Sequence, residues 1–312
     1  MSNRSAAQRE AHRRRFRRKS ARGMLYAALI FLALAQLIPF LWMASTSIKT
    51  SEEAAMMSEL IPRELSAEAV REAARYWMPS RPQWSNYVKV LGLDPERTRI
   101  RINFAHACIN SVFVALAITF GQVLTSAMAG FAFSRLRWPG RDVTFLLYIA
   151  TLMIPTTVTM IPGFLILRAF DWIDTYQALI IPGLCSAYGT FLVRQYMLGL
   201  SSELEESAMM DGASHLGVFL HVALPLSRPV LVALAILNFL GAWQGFLGPL
   251  IVTYSENLRV APLALYLIQT QYASEANLVM AGSLLLMIPC IIVFVLGQRF
   301  FVEGIQLGAV KG

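Results

Sequence analysis

Charge is scarce in this chain: Asp, Glu, Lys and Arg make up 15% of its 312 residues, against roughly 25% in soluble domains. The scarcity is uneven. Six stretches hold none of the four types: 24–46, 102–133, 143–167, 175–193, 229–255 and 276–298, each 19 to 32 residues long. Crossing about 30 Å of hydrocarbon at 1.5 Å per residue takes roughly 20 apolar residues. Each stretch is therefore a candidate membrane span, and a soluble globular protein is excluded. A transmembrane β-barrel is excluded too, because its segments are about 10 residues long and alternate polar with apolar. The expected fold is an all-α polytopic membrane protein with six transmembrane helices.

Other absences exclude chemistry. The three cysteines, Cys108, Cys185 and Cys290, all lie in apolar stretches, where Cys behaves as a small hydrophobe. Their spacing suggests neither a disulfide framework nor a metal site. No G-x-x-x-x-G-K-[ST] phosphate loop is present, nor paired carboxylates or a nucleophile elbow. The four histidines (His12, His106, His215, His221) are scattered. A membrane-embedded enzyme is disfavoured, and no catalytic residue, cofactor or metal is expected. The spans also lack the ionisable groups that ion-coupled transporters usually keep at membrane depth. An autonomous secondary transporter of small polar solutes stays as the alternative, since sodium sites can be built from backbone carbonyls.

Where charge does occur, it orients the chain. Residues 1–22 carry nine basic residues against Glu10, a surplus of eight that equals the net charge of the whole protein. The arm lacks the aromatic interleaving of a nucleic-acid surface and reads as a cytoplasmic anchor under the positive-inside rule, with no nucleic-acid partner. The apolar run after it is too long for a cleaved signal. Six spans then place both termini inside. Arg135, Arg137, Arg141, Arg194 and Arg228 fall on inner segments, and only Arg168 and Arg259 on the short outer loops. The outer loop 47–101 dissents with nine basic residues, but eight acids balance it and its length weakens its vote. The expected organisation is a basic arm (1–23), a first transmembrane helix (24–46), a periplasmic loop (47–101), a five-helix core (102–298) and a cytoplasmic tail (299–312).

The spans contain Pro39, Pro155, Pro162, Pro182, Pro249 and Pro289, each of which bends or breaks a helix. Uncharged polar residues, including His106, Asn110 and Gln122, are scattered among them. They serve either interhelical hydrogen bonds, at about 0.6–2 kcal/mol each, or a pathway for a neutral polar solute. Asn238, Trp243 and Gln244 are the best pathway candidates, because an indole face beside a side-chain amide suits a sugar.

The inner segment 201–225 has the richest pattern. Ser202 and Glu205 fit a capping box. Glu203, Glu205 and Glu206 lie in the first turns, and Gly212 supplies the left-handed residue that ends the first short helix. Leu216, Phe219, Leu220 and Ala223 recur at helical spacing, and Pro225 is expected to end the second helix. With Asp211, the glutamates form an acidic patch on the side where basic loops are the norm.

Glu206-Ser207-Ala208, then Gly212, then Val222-x-Leu224-Pro225 resembles the EAA loop (E-A-A-x3-G-x9-I-x-L-P) of permease subunits in binding-protein-dependent ABC importers, with Ser207 and Val222 as departures. The Gly308-Ala309-Val310-Lys311-Gly312 end, Asn86-Tyr87 before the second span, and Trp243-Gln244 are similar to the carbohydrate-uptake subgroup, that of the smaller maltose-type permease subunit. The resemblance implies the type I ABC importer permease fold and a sugar-import role beside a sister permease, two ATPase subunits and a solute-binding protein. It implies that Glu205, Glu206, Ala208, Asp211, Gly212, Leu224 and Pro225 form the ATPase-coupling site. Glu206 would pair with a basic group of the ATPase, and Leu204, Ala208 and Met209 would pack in its cleft. The tail, with Lys311, would reach between the ATPase subunits. The loop Thr253, Tyr254, Ser255, Glu256, Asn257 up to Arg259 would contact the binding protein. A weak amphipathic helix (Val70, Ala73, Ala74, Trp77) either docks that protein or pads the surface.

Overall fold

The computed structural model describes the backbone of residues 2–55, 77–93, 102–272 and 275–309, with side chains between 22 and 298 within those ranges. Among the described residues every regular element is helical. In chain order they are α1 (Ser2–Ser47), α2 (Ser51–Ala55), α3 (Ser85–Leu91), α4 (Phe104–Arg135), α5 (Arg141–Ala150), α6 (Thr156–Ala169), α7 (Tyr176–Ile180), α8 (Ala187–Leu198), α9 (Glu203–Met210), α10 (His215–Leu226), α11 (Arg228–Trp243), α12 (Leu247–Val252), α13 (Ala261–Gln271) and α14 (Ala276–Ala309). The expected helix over Val70, Ala73 and Ala74 lies outside the described residues, as do Val310, Lys311 and Gly312.

Four helical segments are long and apolar enough to cross a membrane: Arg22–Ser47, Phe104–Arg135, Tyr176–Leu198 and Ala276–Gln298. Two more reach that length only as bent pairs, Arg141–Met153 with Thr156–Ala169 at 100°, and His215–Leu226 with Arg228–Trp243 at 74°. The third stretch is thus not one straight helix. Pro155 offers no N–H and drives Ile154 into extended backbone (φ −84°, ψ 116°), as a residue before proline prefers. The fifth stretch is also shorter as a helix than its lack of charge suggests. α11 stops at Trp243, and the short α12 follows after a break at Gln244–Phe246.

The chain divides into two units. One comprises Met1–Asn86 with Ser274–Ala281. Its first helix runs unbroken from the basic arm into the first span. At and just beyond its C-terminal end the Asn86 amide donates to the carbonyls of Ser47 (2.9 Å) and Lys49 (2.8 Å), and Asn277 donates to that of Lys49 (3.1 Å). A reciprocal capping box opens α2: the Thr50 hydroxyl accepts from the Glu53 N–H, and the Glu53 carboxylate accepts from the Thr50 N–H, both at 3.2 Å.

The second unit comprises Tyr87–Ala273 with Gly282–Gly312 and is built on α4. Lipid tails are as apolar as leucine, so helices in a bilayer associate by close packing, for which small residues are suited. α4 and α8 approach at Gly130 and Gly189. A Cβ on Gly130 would lie 2.7 Å from Val193 Cγ1, and one on Gly189 would lie 2.4 Å from Ser126 Oγ. At the arginine-bearing end, Ala127 and Phe131 of α4, Val193 and Met197 of α8, Val218, Phe219 and Ala223 of α10, and Val230, Leu231 and Leu234 of α11 share one buried cluster. That cluster ties the loop 201–225 to three spans.

Candidate functional site: an exposed elbow and a latched loop

The elbow begins at α9. Ser202 makes no side-chain cap, and Ser201 Oγ instead accepts from the Glu203 N–H at 3.2 Å. The expected capping box is absent because Glu205 turns the other way. Its carboxylate is buried, with Oε1 2.9 Å from Arg135 Nε at the end of α4. The same guanidinium donates to the Leu200 carbonyl at 3.0 Å. Burial pushes the Glu205 carboxyl above its usual 4.5; Arg135 pulls it partly back, and neighbouring Glu206 adds to the rise. Glu206 is exposed one residue on, so the two adjacent glutamates face opposite surroundings.

The helix closes as a Schellman motif. Gly212 N–H bonds to the Met209 carbonyl (3.0 Å) and Ala213 N–H to the Ala208 carbonyl (2.9 Å). Gly212 takes φ +90°, the left-handed conformation expected of it. Ser214 then caps α10, its hydroxyl accepting from Gly217 N–H at 3.2 Å. Within α10, Phe219–Ala223 form a π turn, and the extra residue per turn shifts the apolar face. Val218, Phe219 and Ala223 are buried, while Leu216 and Leu220 are 65% and 45% exposed; the expected face of Leu216, Phe219, Leu220 and Ala223 is thus corrected at two positions. Pro225 does not end the helix, which runs on to Leu226, and the 74° bend follows at Ser227.

Ala208, Ala213, Val222 and Leu224 pack on the buried cluster. Ala208 therefore faces inward, whereas Leu204, Met209 and Met210 are exposed at 57%, 41% and 87%. Asp211 and Gly212 are exposed as well. Between α9 and residues 134–141 runs an open groove of about 850 Å³, lined by Arg137, Trp138, Arg141, Glu206, Met209 and His215 among others. The elbow thus exposes three acids, Glu203, Glu206 and Asp211, and several large apolar side chains, beside a groove walled by arginines.

The loop at the other end of this unit is held from beneath. Asp174 Oδ1 accepts from the backbone N–H groups of Tyr254 (2.8 Å) and Ser255 (2.9 Å), and Oδ2 accepts from the Ser255 hydroxyl. These bonds hold the Asp174 carboxyl below its usual 3.8. Asn110 donates its amide to the carbonyls of Asn257 and Arg259 and accepts from Tyr176 OH at 2.8 Å. His106 Nε2 lies 3.0 Å from the Asn257 carbonyl, so that nitrogen carries the proton, since a carbonyl only accepts. Thr253 is buried and bonds back to the Pro249 carbonyl. Glu256 pairs with Arg259 at 3.1 Å.

The three pathway candidates separate. Trp243 is 2% exposed, stacks on Phe239 at 6.1 Å, and donates its indole N–H to the Leu286 carbonyl at 3.0 Å. Its ring is filled by its own chain, which corrects the expectation of a free face for a sugar. Asn238 is half-buried, with Nδ2 unpaired among the described residues. Gln244 is exposed, at the break where α11 ends.

The model of the binding-protein-dependent transport system inner membrane component matches residues 118–306, a stretch that holds the elbow and the packed cluster behind it. The chain belongs to that family. It is a multi-pass membrane permease, in a family whose members are transport components rather than catalysts. The arabinooligosaccharides transport system permease protein AraQ of Halalkalibacterium halodurans is 37% identical to this permease over 203 residues, 65% of this chain and 73% of its own. The sn-glycerol-3-phosphate transport system permease protein UgpE of Pectobacterium atrosepticum is 37% identical over 204 residues, with the same coverage of 65% and 73%. A putative ABC transporter permease protein, ORF2, of a Caldicellulosiruptor species is 33% identical over 290 residues, 91% of this chain and 96% of its own. A chain in the crystal structure of a bacterial ABC transporter involved in import of the acidic polysaccharide alginate superposes with a TM-score of 0.72 at 25% identity, over 89% of this permease and 96% of that chain.

Sequence reasoning missed Arg135, Asp174 and Tyr176 as members of these sites. Arg135 was counted only as an inner charge. For Asp174 a signal exists: aspartate tolerates positive φ, and Asp171 and Asp174 flank a short connection with φ +56° and +59°.

Proposed function

We propose that this permease is the transmembrane subunit of an ATP-driven importer of sugars or oligosaccharides, forming half of a translocation pathway beside a sister permease. ATP hydrolysis resides in two separate cytoplasmic subunits, and both termini of the permease are cytoplasmic. The observation that carries this reading is the elbow's division of labour. Glu205, Ala208 and Leu224 fasten it to the spans, while Glu206 and the apolar Leu204, Met209 and Met210 stand exposed. Lone solvated helices do not keep three large apolar residues bare, and a protein partner buries them. Arg135, Arg137, Arg141, Arg194 and Arg228 gather on the elbow's side of the bilayer, which favours a cytoplasmic elbow.

The substrate class follows the relatives named for arabinooligosaccharides, glycerol-3-phosphate and alginate. Uncharged amides at Asn238 and Gln244 suit a neutral polar solute, and they are the residues of this chain proposed to face it. On the outer side, Tyr254, Ser255, Glu256 and Asn257 form the proposed contact for a solute-binding protein. The tail beyond Gln298 continues as helix through Ala309 and is proposed to extend toward the ATPase subunits.

The test is Glu206→Lys. Losing a charge-assisted hydrogen bond costs about 1.5–3 kcal/mol, so the ATPase subunits should be held roughly ten- to a hundredfold more weakly. Membrane insertion should be unchanged, because Glu206 makes no demand on the bilayer. Uptake at the wild-type rate with full ATPase retention would overturn the coupling role. A thermal-shift screen of the cognate binding protein against a sugar panel identifies the solute.

A further inference from the structure

We infer that Asp174 and Asn110 are positioning residues that hold the loop 253–259 in one fixed shape, so that the Tyr254 side chain is presented outward to the solute-binding protein. The inference rests on the reading of this loop as that protein's contact.

Two independent latches converge on seven residues. Asp174 engages the loop's beginning through three acceptor contacts, to Tyr254 N–H, Ser255 N–H and the Ser255 hydroxyl. Its own N–H donates to the Val252 carbonyl at 2.8 Å, which fixes the residue just before the loop. Asn110 engages the loop's end, bonding two alternate carbonyls, Asn257 and Arg259, with one amide. Ser111 accepts from Ala261 N–H at 2.7 Å, closing the exit into α13.

The supports are themselves stiff. Asp174 sits in a turn where Trp172 N–H bonds to the Leu167 carbonyl (2.9 Å) and the Thr175 hydroxyl to the Trp172 carbonyl (2.6 Å). Below it Val114, Ala178, Leu179 and Val252 form a buried cluster. Tyr176 OH fixes which way the Asn110 amide points. Tyr254, whose backbone N–H is gripped, is nonetheless 65% exposed as a residue. A gripped backbone carrying a bare aromatic is how a rigid anchor is displayed, and a shape set before binding avoids ordering costs on contact.

A positioning role predicts a split between affinity and turnover. In the assembled transporter reconstituted in vesicles, Asp174→Gly keeps the left-handed backbone and removes the acceptors. It should raise the KM for liganded binding protein about tenfold while leaving kcat within about twofold. Asp174→Asn, which tolerates the same backbone and keeps an acceptor, should restore most of the affinity. Tyr176→Phe should raise KM by a smaller factor at nearly constant volume, and it serves if Asp174→Gly assembles poorly. A photo-crosslinking residue at position 254 should capture the binding protein in the otherwise unaltered transporter. Capture with unchanged KM in Asp174→Gly and Tyr176→Phe would overturn the positioning role alone. Absence of capture would overturn the loop's assignment as the contact, and the inference with it.

Discussion

Glu205 and Arg135 meet at 2.9 Å across 70 residues of sequence, joining the elbow to the C-terminal end of α4. The neighbouring Glu206 has no such contact among the described residues and is exposed. Of two adjacent acids in one helix turn, one thus fastens the elbow to its own chain and the other is left on the surface. Breaking a buried pair costs about 3–5 kcal/mol. Arg135 retains 14% side-chain exposure and its bond to Leu200, which lowers the expected loss for Glu205→Ala to about 2 kcal/mol. Thermal unfolding in detergent should show that loss, with little change for Glu206→Ala.

Gly212 has φ +90° with nothing within 4 Å of the position a Cβ would take. The cost of Gly212→Ala is therefore backbone strain alone, about 1–2 kcal/mol. Gly212→Asn should cost less. Protease sensitivity of the 201–225 segment in vesicles reports the difference.

A Cβ on Gly189 meets Ser126 Oγ at 2.4 Å. Gly189→Ala should destabilise by about 1–3 kcal/mol, the usual range for overpacking. Ser126→Gly in the same chain should recover most of it, and a double-mutant cycle on thermal stability measures the coupling.

Acid should act on the outer loop through Asp174. Its carboxyl titrates below the ordinary 3.8, so its contribution to the latch is fully present above 3.8 and is lost as pH falls through the lowered native value. A spin label at position 254 should keep its mobility from pH 7 down to pH 5 and loosen only below about pH 4. In Asp174→Asn that acid step should vanish.

Trp243 is a packing residue of this chain. Trp243→Ala should cost about 3–5 kcal/mol, as large aromatic deletions in a core do. Trp243→Phe, losing the bond to Leu286, should cost about 1 kcal/mol. Neither should change the order in which a panel of sugars is transported, whereas Gln244→Ala should.

The four straight candidate spans and the two bent pairs were legible as apolar stretches because charge is costly in lipid and its absence marks depth without any tertiary knowledge. Pro155 announced a break, but its 100° angle depends on how both halves pack, which local pattern does not encode. Gly212 was legible, since a left-handed closure is a property of one residue. The partner of Glu205 was not: the capping pattern at Ser202 and Glu205 is locally sound, and a distant guanidinium outbids it. Trp243 was misread for a related reason. An indole in an apolar span suits a solute or a core equally well, and only the neighbouring Phe239 and the Leu286 carbonyl decide between them. Asp174 lies in the six-residue connection 170–175, where an aspartate signals a turn but not the distant loop that its carboxylate holds.

The 74° angle between His215–Leu226 and Arg228–Trp243 has a mechanical corollary. Because the first segment lies across the second and shares its buried cluster, a thrust applied along the first would reach the end of α11 as a sideways push that tilts the helix. The same displacement bears on α4 and α8 through Phe131 and Met197. A modest displacement there would be shared by three rods instead of being absorbed by one.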